Sequence, residues 1–138
     1  MKIDKIRIKK FLLEIKKDSV EIKDFLKGNV KDKKTIKAIK YNLIEIVEAS
    51  ANILQHILAK DKGIAAGGYL ETIEKSREEK IISLSACKAL RPFFEFRNIL
   101  IHRYWQIEDK LLIKEVKENY KVFDKFIEEI EKFLSLSS

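Results

Sequence analysis

The chain has 138 residues, with 29 Lys+Arg against 22 Asp+Glu, one Pro, one Cys and four Gly. That length can bury a substantial core in one domain, the 46% hydrophobic content excludes a disordered tail, and no run of 18 uncharged apolar residues exists to cross a membrane. A single cysteine, Cys87, excludes an internal disulfide or a cysteine-rich zinc site. The charge-studded N-terminus lacks the apolar stretch of a secretory signal, so a reducing, cytoplasmic setting is expected.

The net charge of +7 sits at one end: residues 1–40 carry 14 basic and 6 acidic side chains, residues 41–138 carry 15 and 16. A basic segment of this kind suits a nucleic-acid surface, because neutralising phosphates is the main sequence-independent term in such binding; a solvated lysine-rich helix face is the alternative. Within the segment, Ile8, Leu12, Ile15, Ile22 and Leu26 recur at helical spacing, predicting a first helix over Ile3–Leu26 with Gly28 as its stop. Asp32 is placed to cap a second helix. Its stripe of Ile36, Ile39, Leu43, Ile46, Ser50, Ile53 and Ile57 steps by three and four, and a second stripe of Ile44, Val47, Ala51, Leu54 and Leu58 lies beside it. A helix apolar on two sides is central in a bundle or serves two partners.

The stretch DKGIAAGGY after Lys60 reads as an interhelical loop rather than a phosphate cradle, because no GK[ST] follows it. A short helix is predicted over Tyr69–Arg77. Ser83 or Ser85 then caps a helix running through Cys87, Leu90 and Phe94, where Pro92 should kink the helix or mark a restart. Cys87 reads as a small core residue. The last helix opens near Asp109 and carries Ile113, Val116, Tyr120, Phe123, Ile127, Ile130 and Leu134 at steps of three and four. The sum is an all-α fold: an antiparallel bundle of four long helices plus one short one, a single domain over residues 1–138. The two-sided helices leave surface for a second copy about a two-fold axis.

The most unusual local sequence is RPFFEFRNILIHRYWQIED, residues 91–109. It holds three of eight Phe, three of five Arg, the only Trp and one of two His. Arg97 supplies a planar, permanently charged fork suited to phosphate, and His102 the imidazole suited to proton transfer near neutral pH. Asn98 can orient a neighbour by hydrogen bonding, and Tyr104 and Trp105 can stack on a base or serve as core or interface aromatics. Together they suit metal-free RNA cleavage, in which the imidazole moves a proton and the guanidinium stabilises charge building on phosphorus. No carboxylate cluster points to Mg²⁺ and no Cys or His flanks His102, so no metal and no cofactor is expected. The residue types alone leave a structural histidine open. Arg97 and His102 lie about 140° apart on an ideal helix, so they converge only where the helix loosens or two copies share a site.

Arg97-Asn98-x-x-x-His102-x-Tyr104, standing as RNILIHRY, resembles the R-x4-H-x-Y motif of HEPN domains in the HepT-like toxins (the DUF86 group). EASANILQHIL, with Glu48 and His56, resembles the second helix of that family. The resemblance implies a HEPN-like helical homodimer whose motifs form a composite cleft, acting as a metal-independent endoribonuclease toxin on RNA. It implies as partner a minimal nucleotidyltransferase antitoxin, which in some pairs adenylylates the motif tyrosine. Carried over, Arg97 and His102 are catalytic, Asn98 is supporting, and Tyr104 is the modification target and a supporting substrate contact. A non-catalytic HEPN module that binds a nucleotide or docks a nucleotidyltransferase is the alternative. His56 is expected as a helix-packing residue. Glu45 and Glu48 are expected to be solvated or paired with lysine, with Glu48 able to orient His102 if it faces the cleft.

Overall fold

A computed structural model describes residues 2–102 and 107–136. Those residues form six helices: α1 (Lys5–Lys27), α2 (Lys33–Lys62), α3 (Tyr69–Glu78), α4 (Leu84–His102), α5 (Asp109–Asn119) and α6 (Lys121–Leu136). The expected all-α bundle is observed, with no strand among the described residues. None of these helices is long and apolar enough to cross a membrane.

Three helices start where a side chain satisfies one of their free N–H groups. The Asp4 carboxylate accepts from the Arg7 amide at 3.0 Å, and Asp32 accepts from the Thr35 amide at 3.1 Å. Ser83 caps α4 through the Ala86 amide at 3.1 Å, while its own N–H and hydroxyl donate to Glu129 of α6, both at 2.7 Å. The central helix α2 ends at Gly63 with φ 65°, a left-handed conformation that glycine adopts without a Cβ penalty. The Gly67 N–H is occupied by the Glu71 carboxylate at 2.7 Å. The glycine loop is therefore a helix connection held by its own chain rather than an anion cradle.

Every apolar residue of the α2 seam is buried, as are Val47, Ala51, Leu54 and Leu58 of the second stripe. The seam packs along α1, and the neighbouring faces meet α3 and α4. Burying those side chains removes apolar surface from water, the largest favourable contribution to folding. The first helix is fastened to α6 by Lys16 and Lys23, which both reach Asp124. It is fastened to α2 by the Asp4 N–H, which donates to His56 Nε2 at 2.9 Å.

One expectation about the helices differs from the structure. The last helix is two, because the chain turns at Tyr120, where the Phe123 amide reaches back only three residues to the Tyr120 carbonyl. Asn119, the last residue of α5, is a weak helix former. The apolar steps run unbroken across this point, so periodicity carries no mark of it. Helix α4 runs through Pro92 without a restart. The missing N–H there frees only the carbonyl of Lys88, a residue exposed to water.

Candidate functional site

The RNILIHRY motif occupies the end of α4, and the core beneath it fixes that helix. Leu90, Phe93, Phe94 and Leu100 are buried. Phe93 stacks at a tilt on Phe123 of α6, centroids 4.9 Å apart, and Phe94 meets the edge of Tyr69 from α3 at 6.2 Å. Sequence position alone thus places Arg97 one turn beyond a packed aromatic cluster.

Arg97 is turned inward, with 15% of its side chain exposed. Its Nη2 donates to Glu48 Oε2 of α2 at 2.8 Å, and its Nη1 donates more weakly to Asn98 Oδ1 at 3.4 Å. The guanidinium carbon stands 4.3 Å from the centroid of the Tyr69 ring, a cation–π arrangement. The Nε atom is buried without a hydrogen-bond partner. A planar fork gripped by a carboxylate and lying over an aromatic ring loses most of its rotamer freedom in advance, which is what a pre-aimed phosphate contact requires.

His102 is the last residue of α4 and is exposed, beside Ile101, which is 46% exposed. Because α4 is one helix through both positions, the guanidinium and the imidazole leave it on different sides, about 140° apart. Arg97 and Asn98 are brought together; His102 points to solvent from the helix terminus. Tyr104, with Arg103 and Trp105, lies outside the described residues.

Glu48 is neither simply solvated nor paired with lysine, as the sequence suggested: its partner is Arg97. Tyr69 was missed altogether, since nothing in its local sequence ties it to a residue 28 positions away. His56 is a packing residue that caps the start of α1, and burial followed by the nearby Arg7 and Lys60 charges lowers its pKa, consistent with a neutral acceptor nitrogen. Cys87 is buried among α3 and α4, and burial with the Glu74 carboxylate pushes its thiol up to about 11, so it is inert at neutral pH.

The expectation of no carboxylate cluster needs correction. Packing α1 against α2 brings oxygens of Glu14, Asp18 and Glu45 within 4.8 Å of one another. Asp18 is 2% exposed, and burial first, then the neighbouring Glu45 carboxylate, raises its pKa to about 7. Glu48 lies near this cluster: burial first, then the Glu45 and Glu48 charges, raises the pKa of Glu14.

A family model described as Ribonuclease HepT-like matches residues 7–130. A curated relative from Archaeoglobus fulgidus, described as "Putative RNase", is 28% identical over 115 residues, covering 83% of this chain and 86% of the relative. Among solved structures, the cytosolic protein of unknown function YutE from Bacillus subtilis superposes with a TM-score of 0.88 at 14% identity, over 99% of this chain and 95% of that one. A tri-AMPylated Shewanella oneidensis HEPN toxin, solved in complex with its MNT antitoxin, superposes with a TM-score of 0.83 at 19% identity, over 91% and 97%. At these identities the structural likeness speaks for the fold.

Proposed function

The chain belongs to the HepT-like ribonuclease family, and from that premise we propose that it is the toxin of a toxin–antitoxin pair, an endoribonuclease that cuts RNA without a metal ion. The observation that carries this reading is the pre-aimed Arg97 guanidinium, held by Glu48 and Tyr69, five residues before an exposed imidazole at the end of the same helix.

The chemistry follows from the two groups. His102 takes the proton of a 2′-hydroxyl as the 2′-oxygen attacks phosphorus; the P–O5′ bond breaks, the departing 5′-oxygen takes up a proton from the imidazolium so formed or from water, and a 2′,3′-cyclic phosphate remains. Arg97 stabilises the negative charge that builds on the non-bridging oxygens. Because one α4 presents the two side chains on different sides, we place the working site between two copies, with Arg97 of one facing His102 of the other. Exposed Ile101 beside His102 gives such a pairing an apolar contact.

The experiment is incubation of the purified chain with total RNA in EDTA. Cleavage that persists without free divalent cations supports the reading. Intact RNA together with tight nucleotide or partner binding would assign a binding module instead.

The Shewanella neighbour is AMPylated and bound to its antitoxin, which supports a nucleotidyltransferase partner here; the motif resemblance makes Tyr104 the acceptor of AMP. Mixed with a cognate nucleotidyltransferase and ATP, the chain should gain the mass of one or more AMP groups, and Tyr104→Phe should remove that gain. An unchanged mass gain in the variant would show that another residue is modified.

A further inference from the structure

A groove lies between the start of α2 and the outer face of α5. It encloses about 740 Å³, within the range of ligand-sized sites. Its floor is apolar, made by Val30, Ile36 and Ile113, and its rim carries Lys31, Lys110, Lys114 and Lys117. All four lysines are exposed, and among the described residues none of their ammonium groups is in an ion pair. Of the two carboxylates in the groove wall, Asp109 is engaged by Lys40 Nζ at 2.7 Å, which leaves Glu118 as the other.

Lys110, Lys114 and Lys117 share one face of α5 at i, i+4 and i+7, a row about 10 Å long. A bound strand therefore meets more than one of them. Helix α5 opens at Asp109, seven residues after His102 in the sequence.

We propose that this groove is the RNA-docking surface that feeds the motif. Phosphates sit on Lys31, Lys110, Lys114 and Lys117, and a ribose or the face of a base lies on Val30, Ile36 and Ile113. Lysine is a point charge on a flexible stem, and among the described residues the floor holds no aromatic platform, so these residues grip the backbone and read little sequence. An acidic protein segment would also meet the charge. The row of lysines at helical spacing over an apolar floor, beginning eight residues after His102 in the sequence, favours RNA. This inference rests on the ribonuclease reading.

The test measures binding of a short fluorescent single-stranded RNA of mixed sequence in the His102→Ala background, across a salt series. The triple variant Lys110→Gln/Lys114→Gln/Lys117→Gln should weaken binding by about tenfold or more at low salt. It should also reduce the slope of log affinity against log salt by about 2, as expected for three lost phosphate contacts to a single strand. The double variant Lys31→Gln/Lys114→Gln should lose a smaller share of the slope. Lys10→Gln/Lys17→Gln/Lys88→Gln, with the same charge change outside the groove, should bind as the parent does. Equal weakening by the groove and control triples would overturn the proposal in favour of diffuse electrostatics. So would unchanged RNA binding in the groove variant, including the case where only capture of a nucleotidyltransferase is lost. Cleavage by the His102 chain, assayed in parallel, reports separately on the ribonuclease reading: an inactive chain whose RNA binding still depends on the groove lysines retains the groove and loses the enzyme.

Discussion

His102→Ala is expected to lower RNA cleavage by about 10³-fold, the scale of losing a positioned proton-transfer group. Arg97→Ala should fall at least as far, because it removes the guanidinium that stabilises charge on phosphorus. Arg97→Lys should not restore activity. It keeps the charge, but the fork that Glu48 grips at 2.8 Å and Tyr69 underlies is lost. Mixing the two alanine variants distinguishes where the site lies. If Arg97 of one copy works with His102 of the other, random exchange gives hybrid dimers in half of the population, each with one intact site of two, and about a quarter of the parental activity returns. A site confined to one chain returns none. Initial rates of cleavage of a labelled RNA, before and after exchange of subunits, provide the measurement. Retained activity in either single variant would remove that residue from the chemistry.

The positioning of Arg97 explains which parts of the site could be read from the chain alone. The helices announced themselves because seams such as Ile36–Ile57 repeat at a spacing that only one local geometry satisfies. The motif announced itself because Arg97, Asn98 and His102 are rare polar groups in an apolar run. Glu48 was visible as a residue flanking the seam of α2, but its partner depends on how α2 crosses α4, which no local pattern encodes. The same holds for Tyr69, and for the acidic cluster: Glu14 and Asp18 are one turn apart on α1, but only the register of α1 against α2 adds Glu45. The turn at Tyr120 was hidden for a different reason, because its side chain continues the apolar stepping on both sides of the break.

The acidic cluster makes a prediction about stability that is independent of catalysis. Asp18 Oδ1 accepts from Asn42 Nδ2 at 2.8 Å, and the second Asn42 amide proton goes to Glu21, also at 2.8 Å. Asp18 Oδ2 is buried with no partner of its own. A neutral carboxyl resolves this, because its O–H can donate to Glu45. Burial, the Glu45 contact and the Glu45 and Glu21 charges outweigh the Asn42 hydrogen bond and raise the group from 3.8 to about 7. The native state therefore holds a proton that the unfolded chain has released between about pH 4 and pH 7. Its contribution to stability is complete below that window and is lost as pH rises through it. Asp18→Asn makes neutrality permanent: the amide carbonyl still accepts from Asn42, and the amide N–H₂ donates to Glu45. At pH 8 the variant should melt several degrees above the parent. The gap should shrink as pH falls through 7 and close near 4. Thermal melts of both proteins across that range provide the check, and taking the difference between them cancels the other titrating groups. A gap independent of pH would mean that Asp18 ionises normally in the fold. A variant less stable at pH 8 would mean that the carboxylate is held in its charged form, reversing the account of why three acids gather between α1 and α2.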